Sequence, residues 1–288
     1  MISVLRREIG SYYKGIMGYL FAAFLLIFCG IYTMAYNLSG YYANFEYALS
    51  SIAFIYLIGV PILTMRSVAE EKKQKTDQLL YSLPLKLSDV VIGKYLAMVF
   101  VLLVPCGVMA LYPLLLSRFG NVAFSSAYGT LAAFFLLGAC LISIGLFISS
   151  ITENSVGAAV ITLVVMLLLY FMSGLAQFVS DSASASLVAF EIVMVILAVL
   201  FFFLTKNKLI SVIIGVLGCG GLYLAYTLNS SLFSGAFVSV MNALSVFDRF
   251  DTFVDGIFDL TAVIYYISII GVFLFLTVQT LEKRRWSE

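Results

Sequence analysis

A stretch without any charged side chain decides the fold class: residues 127–148 read AYGTLAAFFLLGACLISIGLFI. An α-helix of about twenty apolar residues crosses the roughly 30 Å hydrocarbon core of a bilayer, so this stretch predicts a transmembrane helix. Similar runs recur from end to end, and we predict about eight spans in a single all-α, polytopic membrane domain over residues 1–288. The predicted spans are residues 16–36, 48–65, 90–116, 127–148, 156–178, 187–204, 209–228 and 261–281.

The composition excludes a soluble protein and most classes of enzyme. Of the 288 residues, 63% are hydrophobic and 11% are charged, and the mean hydropathy is +1.10. This leaves too few polar residues to cover the surface of a soluble domain. Histidine is absent, which removes Ser-His-Asp triads and imidazole metal ligands. The four cysteines lie inside apolar runs without CxxC spacing, as buried hydrophobic residues do. We expect no catalytic residue, no metal site and no nucleic-acid partner.

The basic residues predict how the spans are oriented. If the N-terminus is cytoplasmic and the spans alternate, all sixteen Lys and Arg residues except Arg118 and Arg249 lie on the cytoplasmic side. The opposite orientation would break the positive-inside rule. We therefore predict a multi-pass protein of the plasma or inner membrane, with both termini in the cytoplasm.

The N-terminal residues 1–15 predict a helix that does not cross the membrane. Ile2, Leu5, Ile9 and Tyr12 recur at helical spacing, with basic residues between them. This pattern favours a helix in the plane of the lipid headgroups over a solvated basic leader.

The longest cytoplasmic loop is predicted over residues 66–89, which read RSVAEEKKQKTDQLLYSLPLKLSD. Arg66 and Glu70 are four residues apart, a spacing that lets them pair on one helix face. Thr76 is a candidate N-cap with Asp77 in the first turn, and Pro84 ends the short helix that they open.

Leu79, Leu80 and Leu83 give this short helix a small apolar face. Such a helix, held between two spans at the membrane surface, suits insertion into a groove of a partner protein. A solvated connecting loop, whose lysines only satisfy the positive-inside rule, explains the same residues equally well.

The external segment 229–260 carries four acidic residues at helical spacing. On a helix they form one stripe beside an apolar face, which predicts an amphipathic helix at the outer surface. We interpret it as a gate or as a surface for an extracytoplasmic partner, with a merely structural surface helix as the alternative. The acidic residues are Asp248, Asp251, Asp255 and Asp259.

No P-loop is present in the sequence. That motif needs Gly-x4-Gly-Lys-Ser/Thr, so that backbone amides hold phosphate and the hydroxyl binds magnesium. The one Gly-Lys pair, Gly93-Lys94, is followed by Tyr95 and has Ser88 where the first glycine belongs. Any dependence on ATP must therefore come from a partner chain.

Residues 60–96 resemble the ABC-2 type permease superfamily, in particular its gliding-motility-associated (GldF-like) branch. That branch carries Arg and Glu after the second span, a Gly-Thr-x-Glu-x-Leu-Leu stretch, a proline, and a Gly-Lys pair that opens the third span. The chain departs from this pattern at Lys75, where the family has glycine, and at Asp77-Gln78, where the acidic position is displaced. The matching residues are Met65-Arg66, Glu70-Glu71, Thr76, Leu79-Leu80, Pro84 and Gly93-Lys94.

The resemblance extends to the turn at residues 148–154 and to the C-terminal pattern from Phe247 to Trp286. It implies a permease subunit of an exporter that moves its substrate when a separate ATPase hydrolyses ATP. ATP and Mg would bind to that ATPase dimer and no cofactor to this chain. Residues near 70–84 would be the coupling helix and residues 1–15 an interfacial elbow helix. A second permease copy, or a paralogue, would complete the pathway in the lipid membrane.

An ion-gradient-driven secondary transporter is the alternative function. Such proteins place ionisable residues near the midplane of the membrane. The predicted spans are almost free of charge, and Glu191 is the acid that lies furthest inside one of them.

Overall fold

The computed structural model describes residues 2–40, 42–75, 86–205 and 208–287. Every regular element in these ranges is helical, which confirms the all-α prediction. The chain divides into two units, Met1–Leu168 with Val246–Glu288 and Leu169–Ser245. That the whole chain forms one permease domain over residues 1–288 stays a prediction.

The first unit contains most of the helices. A π-helical turn, Met34–Ser39, continues the second of them. The helices are α1 (Ile2–Lys14), α2 (Met17–Thr33), α3 (Phe45–Ala53), α4 (Tyr56–Thr64), α5 (Ala69–Lys73), α6 (Leu87–Met109), α7 (Tyr112–Leu116), α8 (Phe124–Ile151), α9 (Ser155–Tyr170), α14 (Asp248–Val254) and α15 (Leu260–Ser287).

The apolar helices of the structure lie where the sequence predicts spans. Among the described residues, four helices are long and apolar enough to cross a membrane, or up to six if each of two bent pairs is one span. The remaining two predicted spans correspond to the apolar helices Ser155–Tyr170 and Ala183–Val199. The structure therefore agrees with an all-α, polytopic membrane protein and shows that two of the predicted spans are bent pairs.

The second predicted span is a bent pair, Phe45–Ala53 and Tyr56–Lys73, with an angle of 56° between its halves. Near the break, the amides of Ile55 and Leu57 bond to carbonyls three residues back rather than four. Pro61 follows in the next turn, and it cannot donate a hydrogen bond to the carbonyl four residues before it. The apolar composition is continuous here, but the helical pattern of backbone hydrogen bonds is interrupted.

Helix α8 is the centre of the first unit. In its most apolar window 78% of the residues are buried, whereas the corresponding window of α15 is 17% buried. It packs against α3, α4, α6, α14 and α15. An apolar helix that is buried on all sides is stabilised by its neighbours, so α8 fixes where the other helices lie.

Two glycines of α8 let α3–α4 approach closely. Tyr56 stacks on Phe134 with ring centroids 4.6 Å apart, and its hydroxyl donates to the Phe134 carbonyl at 3.0 Å. A Cβ at Gly138 would lie 2.7 Å from that hydroxyl oxygen, and one at Gly145 would lie 2.5 Å from Oγ1 of Thr64. A side chain at either position would force the helices apart.

The second unit is a helical hairpin with an aromatic cluster at one end. The ring of Phe190 packs edge-on against Phe237, with centroids 5.1 Å apart, and against Phe233 at 6.3 Å. Gly235 adopts a φ of +67°, which glycine tolerates, and its amide donates to the Asp181 carbonyl at 2.9 Å. The elements are α10 (Met172–Ala176), α11 (Ala183–Thr205), α12 (Lys208–Leu228), the 3₁₀ turn Ser230–Phe233 and α13 (Ala236–Leu244).

Candidate functional site

A buried ammonium group joins three segments at one end of the first unit. Lys94, in the second turn of α6, is 3% exposed. Its Nζ lies 2.8 Å from Oε1 of Glu71 and 3.3 Å from Oε1 of Glu8, and it donates to the Ser67 carbonyl at 2.8 Å. A buried charge needs such partners because desolvation costs several kcal/mol. The pairing therefore holds α1, α6 and the segment after α4 together.

Arg7 completes a neutral group of four charges. Its Nη2 lies 2.7 Å from Oε1 of Glu8 and 3.4 Å from Oε1 of Glu71. The hydrogen bond to Glu8 raises the pKa of Arg7 above its ordinary value. Each carboxylate thus bridges two cations. We call Arg7, Glu8, Glu71 and Lys94 the Lys94 network.

Gly93, beside Lys94, lets α1 lie directly on α6. A Cβ at this position would lie 3.1 Å from Cγ1 of Val4 and 3.5 Å from the backbone nitrogen of Leu5. The Gly-Lys pair seen in the sequence thus has a structural role: the glycine admits α1 and the lysine binds its glutamate. The helix predicted over residues 1–15 is present as Ile2–Lys14.

The end of α8 holds the segment that leads into the predicted coupling loop. Oγ of Ser149 accepts hydrogen bonds from the amides of Val68 at 3.3 Å and Ala69 at 3.1 Å. These amides are at the start of α5, where no preceding carbonyl of the helix can accept them. Lys72 Nζ donates to the Ser150 carbonyl. The serine pair at the 148–154 turn therefore anchors α5 from a different helix.

The residues predicted for coupling are only partly described. Arg66 and Glu70 form the expected pair, with Nε and Oε2 3.5 Å apart and both side chains exposed, and Glu71 belongs to the Lys94 network. The other predicted residues, Thr76, Asp77, Leu79, Leu80 and Pro84, lie outside the described residues.

Lys75 adopts a backbone conformation that favours glycine. It follows the end of α5 and has a φ of +55°, in the left-handed region. Helices commonly end in this conformation, and glycine adopts it without a steric penalty. The chain therefore turns here with a lysine in a left-handed backbone conformation, which is strained for a residue with a Cβ atom.

The acidic segment that was predicted to be external is not one continuous helix, which corrects the predicted stripe. Asp248 and Asp251 lie in α14, which ends at Val254. Gly256 then takes a φ of +78° and turns the chain. Asp259 instead accepts a hydrogen bond from the Thr261 amide at 2.8 Å, which lowers its pKa and caps the start of α15.

The apolar face of this segment is divided as well. Phe250 and Phe253 are buried in the first unit, whereas Ile257 and Phe258 are exposed. The carbonyl of Phe253 accepts a hydrogen bond from Thr130 of α8 at 2.7 Å. The segment is therefore docked on α8 by its aromatic residues, and its exposed part is short.

One carboxyl of this segment is electrostatically perturbed. Burial raises the pKa of Asp251 to about 6, and the nearby charges of Asp248 and Asp255 add to the shift. Arg249 lies over the ring of Tyr265, 4.0 Å from its centroid, and so joins α14 to α15. In the part of the chain that the structure describes, no group of three or more Cys, Asp or Glu residues could hold a metal ion.

These features define a polytopic, all-helical membrane protein whose charged residues gather at the ends of its helices. Residues 32–184 match the ABC-2 family transporter protein family, and the chain belongs to this family. Proteins of the family are membrane subunits whose ATPase is carried by a separate subunit. A search of curated proteins finds no match.

The Lys94 network predicts that loss of Lys94 lowers the free energy of unfolding much more than loss of Arg66, a basic residue of the same region. Among the described residues, replacing Lys94 by Gln removes one of the two cations that bridge Glu8 and Glu71, and we expect a loss of about 2–4 kcal/mol in the free energy of unfolding. Replacing Arg66 by Gln removes an exposed pair and should cost less than about 1 kcal/mol. Thermal unfolding of both variants in detergent measures the difference, and equal losses would contradict a structural role for Lys94.

The strain at Lys75 predicts a stabilising substitution. Lys75→Gly should raise the unfolding free energy of the segment by about 1 kcal/mol, because the left-handed conformation then has no side-chain penalty. Lys73→Gly, in the right-handed helix two residues earlier, should lower it by about 1 kcal/mol. Hydrogen exchange of the α5 amides reports both changes, and a loss of protection in Lys75→Gly would refute the explanation.

Proposed function

We propose that the protein is the permease subunit of an ABC-2 type exporter of the gliding-motility-associated branch. A separate ATPase dimer binds ATP and Mg and drives substrate through a pathway formed by this chain with a second copy or a paralogue. The observation that carries the proposal is the double anchoring of the segment that leads into the predicted coupling loop. The Lys94 network ties it to α1 and α6, and Ser149 ties it to α8.

This anchoring suits the transmission of force. A partner that moves residues 76–85 acts on α5, whose ion pairs and hydrogen bonds connect it with three other helices. Packed helices move as rigid elements and carry such a displacement over their whole length. Because α8 is the most buried of them, motion at its end reaches the core of the first unit.

The orientation follows from the positive-inside rule, with the Lys94 network and both termini in the cytoplasm. The acidic segment around Asp251 and Asp255 then lies outside. The exposed carboxylate of Asp255, with Ile257 and Phe258 beside it, supports a contact with an extracytoplasmic partner protein.

Purification tests the proposal most directly. The full-length chain, isolated in mild detergent from its native cells, should carry with it a protein that contains a P-loop and hydrolyses ATP. Isolation of the chain without any ATPase, under conditions that keep other transporter complexes intact, would contradict the proposal.

If residues 70–84 bind the ATPase, substitutions among them should weaken that binding without unfolding the protein. Glu70→Lys should weaken binding by about tenfold through charge reversal at the interface. It should leave the fold intact, since among the described residues Glu70 makes only exposed contacts, an ion pair with Arg66 and a hydrogen bond from Gln74. Replacing both Leu79 and Leu80 by Ser should do the same by removing the apolar face. Glu71 is unsuited to this test because its reversal would also break the Lys94 network.

Glu282→Lys is the matched control, because Glu282 is exposed and lies at the same end of the protein. Retention of ATPase and thermal unfolding are measured for each variant. Normal retention in both the Glu70 and the Leu79-Leu80 variants would argue against this surface.

One buried carboxylate favours the alternative, an ion-gradient-driven transporter. Glu46, in the first turn of α3, is 2% exposed, and within the described ranges neither of its side-chain oxygens has a hydrogen-bond partner. The sequence placed it just before the second span, whereas the structure includes it in the bent pair. Ionisable residues inside spans often carry protons or ions.

Glu46→Gln separates the two functions. In a permease driven by an ATPase, it should keep ATP-driven activity, because no proton or ion is then carried by this side chain. In a gradient-driven transporter, it should abolish transport by the isolated chain in ATP-free vesicles with an imposed proton gradient. Glu282→Gln, at an exposed position near the end of α15, is the control.

A further inference from the structure

A large cleft opens between α1, the start of α2 and the C-terminal end of the bent pair Phe45–Ala53 and Tyr56–Lys73. Its volume is about 1020 Å³, at the upper end of ordinary ligand sites, which measure about 300–1,000 Å³. One part of its wall is apolar and includes the exposed side chains of Ile16, Leu20 and Ile62. Another part is charged and includes Lys14 and Arg66.

The two parts of the wall follow the expected boundary between hydrocarbon and headgroups. The candidate span of α2 begins at Met17, so Leu20 lies within its first turn. Ile62 lies in the last turn of α4, and Arg66 follows directly after it. Lys14 ends α1, just before the span begins. The apolar wall therefore lies at the depth of the upper acyl chains and the charged wall at the depth of the phosphates.

The charged side chains that line the cleft carry a net charge of +1, because Glu70 also lines it and offsets Arg66. The carboxylates of Glu8 and Glu71 are already bound by Lys94 and Arg7. Lys14 is exposed and makes no ion pair with any residue that the structure describes. Arg66 meets Glu70 through Nε at a distance of 3.5 Å, with its side chain half exposed. Lys14 and Arg66 are thus placed to receive a phosphate.

We propose that this cleft binds an anionic phospholipid of the leaflet that faces the Lys94 network. Lys14 and Arg66 contact its phosphate and headgroup, and its upper acyl chains lie along Ile16, Leu20 and Ile62. Such a lipid fills the space between the helix that the Lys94 network holds and the first two spans. The proposal does not rest on the proposed function, because binding is a property of the isolated chain.

The test measures lipid retained by the purified full-length chain, by native mass spectrometry, after addition of phosphatidylglycerol or phosphatidylcholine. We expect phosphatidylglycerol to be retained preferentially and Lys14→Gln to weaken its binding about fivefold, as expected for one basic residue at a membrane surface. Arg66→Gln should weaken it by a similar factor. Arg118→Gln, which removes an exposed basic residue that does not line the cleft, should leave it unchanged.

Three outcomes would overturn the proposal. Equal retention of the two lipids would show that charge is not recognised, and unchanged binding in both Lys14→Gln and Arg66→Gln would place the lipid elsewhere. Displacement of phosphatidylglycerol by inorganic phosphate alone would identify a site for free anions. Since Lys14 is exposed and forms no ion pair in the described ranges, its variant should unfold at the temperature of the unmodified protein, which a thermal melt verifies.

Discussion

The need of one buried ammonium group for counter-charges shapes the end of the protein where function is proposed. Lys94 is almost fully removed from solvent, and an isolated charge in such a place would cost several kcal/mol. Its two carboxylates come from residues 8 and 71, far apart in the sequence, and Arg7 balances the second charge. The N-terminal helix is therefore held by electrostatics as well as by the close contact that Gly93 permits. Any position of α1 that separated Glu8 from Lys94 would leave a buried charge without its full set of partners.

Helix α8 connects this end of the protein to the core of the first unit, because it contacts α5 at its end and α4 along its length. Along one helix, Gly138 and Gly145 receive the side chains of the bent pair, and Ser149 then receives the amides that open α5. A displacement of α5 cannot be absorbed by a loose linker at this point, since hydrogen bonds and ion pairs connect it to α6 and α8. Close packing resists small adjustments, so the helices respond as a group. This is the physical property that a subunit driven from outside the membrane requires.

The sequence predicted those features that depend on composition or on short spacing. The apolar segments, the N-terminal helix and the pairing of Arg66 with Glu70 are of this kind. The break in the second predicted span could not be predicted from hydropathy. Hydropathy reports how readily a segment transfers into lipid, whereas the break is a change in the backbone hydrogen bonds near Ile55. The partners of Lys94 could not be predicted, because they depend on where α1 packs in the folded protein. Only Gly93, which permits a close contact between helices, pointed to such packing. The acidic stripe was wrong beyond Val254 because spacing alone ignored the turn at Gly256.

Two carboxyl groups of the same bent pair, Glu71 and Glu46, lie in opposite environments. In its last turn, Glu71 shares two cations, Arg7 and Lys94, whereas Glu46 in its first turn has no hydrogen-bond partner among the described residues. The first arrangement is stable against small displacements because each charge keeps a second partner. The second is costly in any position that excludes water and gains from any movement that supplies a donor. The 56° bend lies between them, so the end that is proposed to receive force is the well-compensated one. The end that stands to gain from a change in its surroundings is joined to it along the chain through the break near Ile55, and both halves pack on α8.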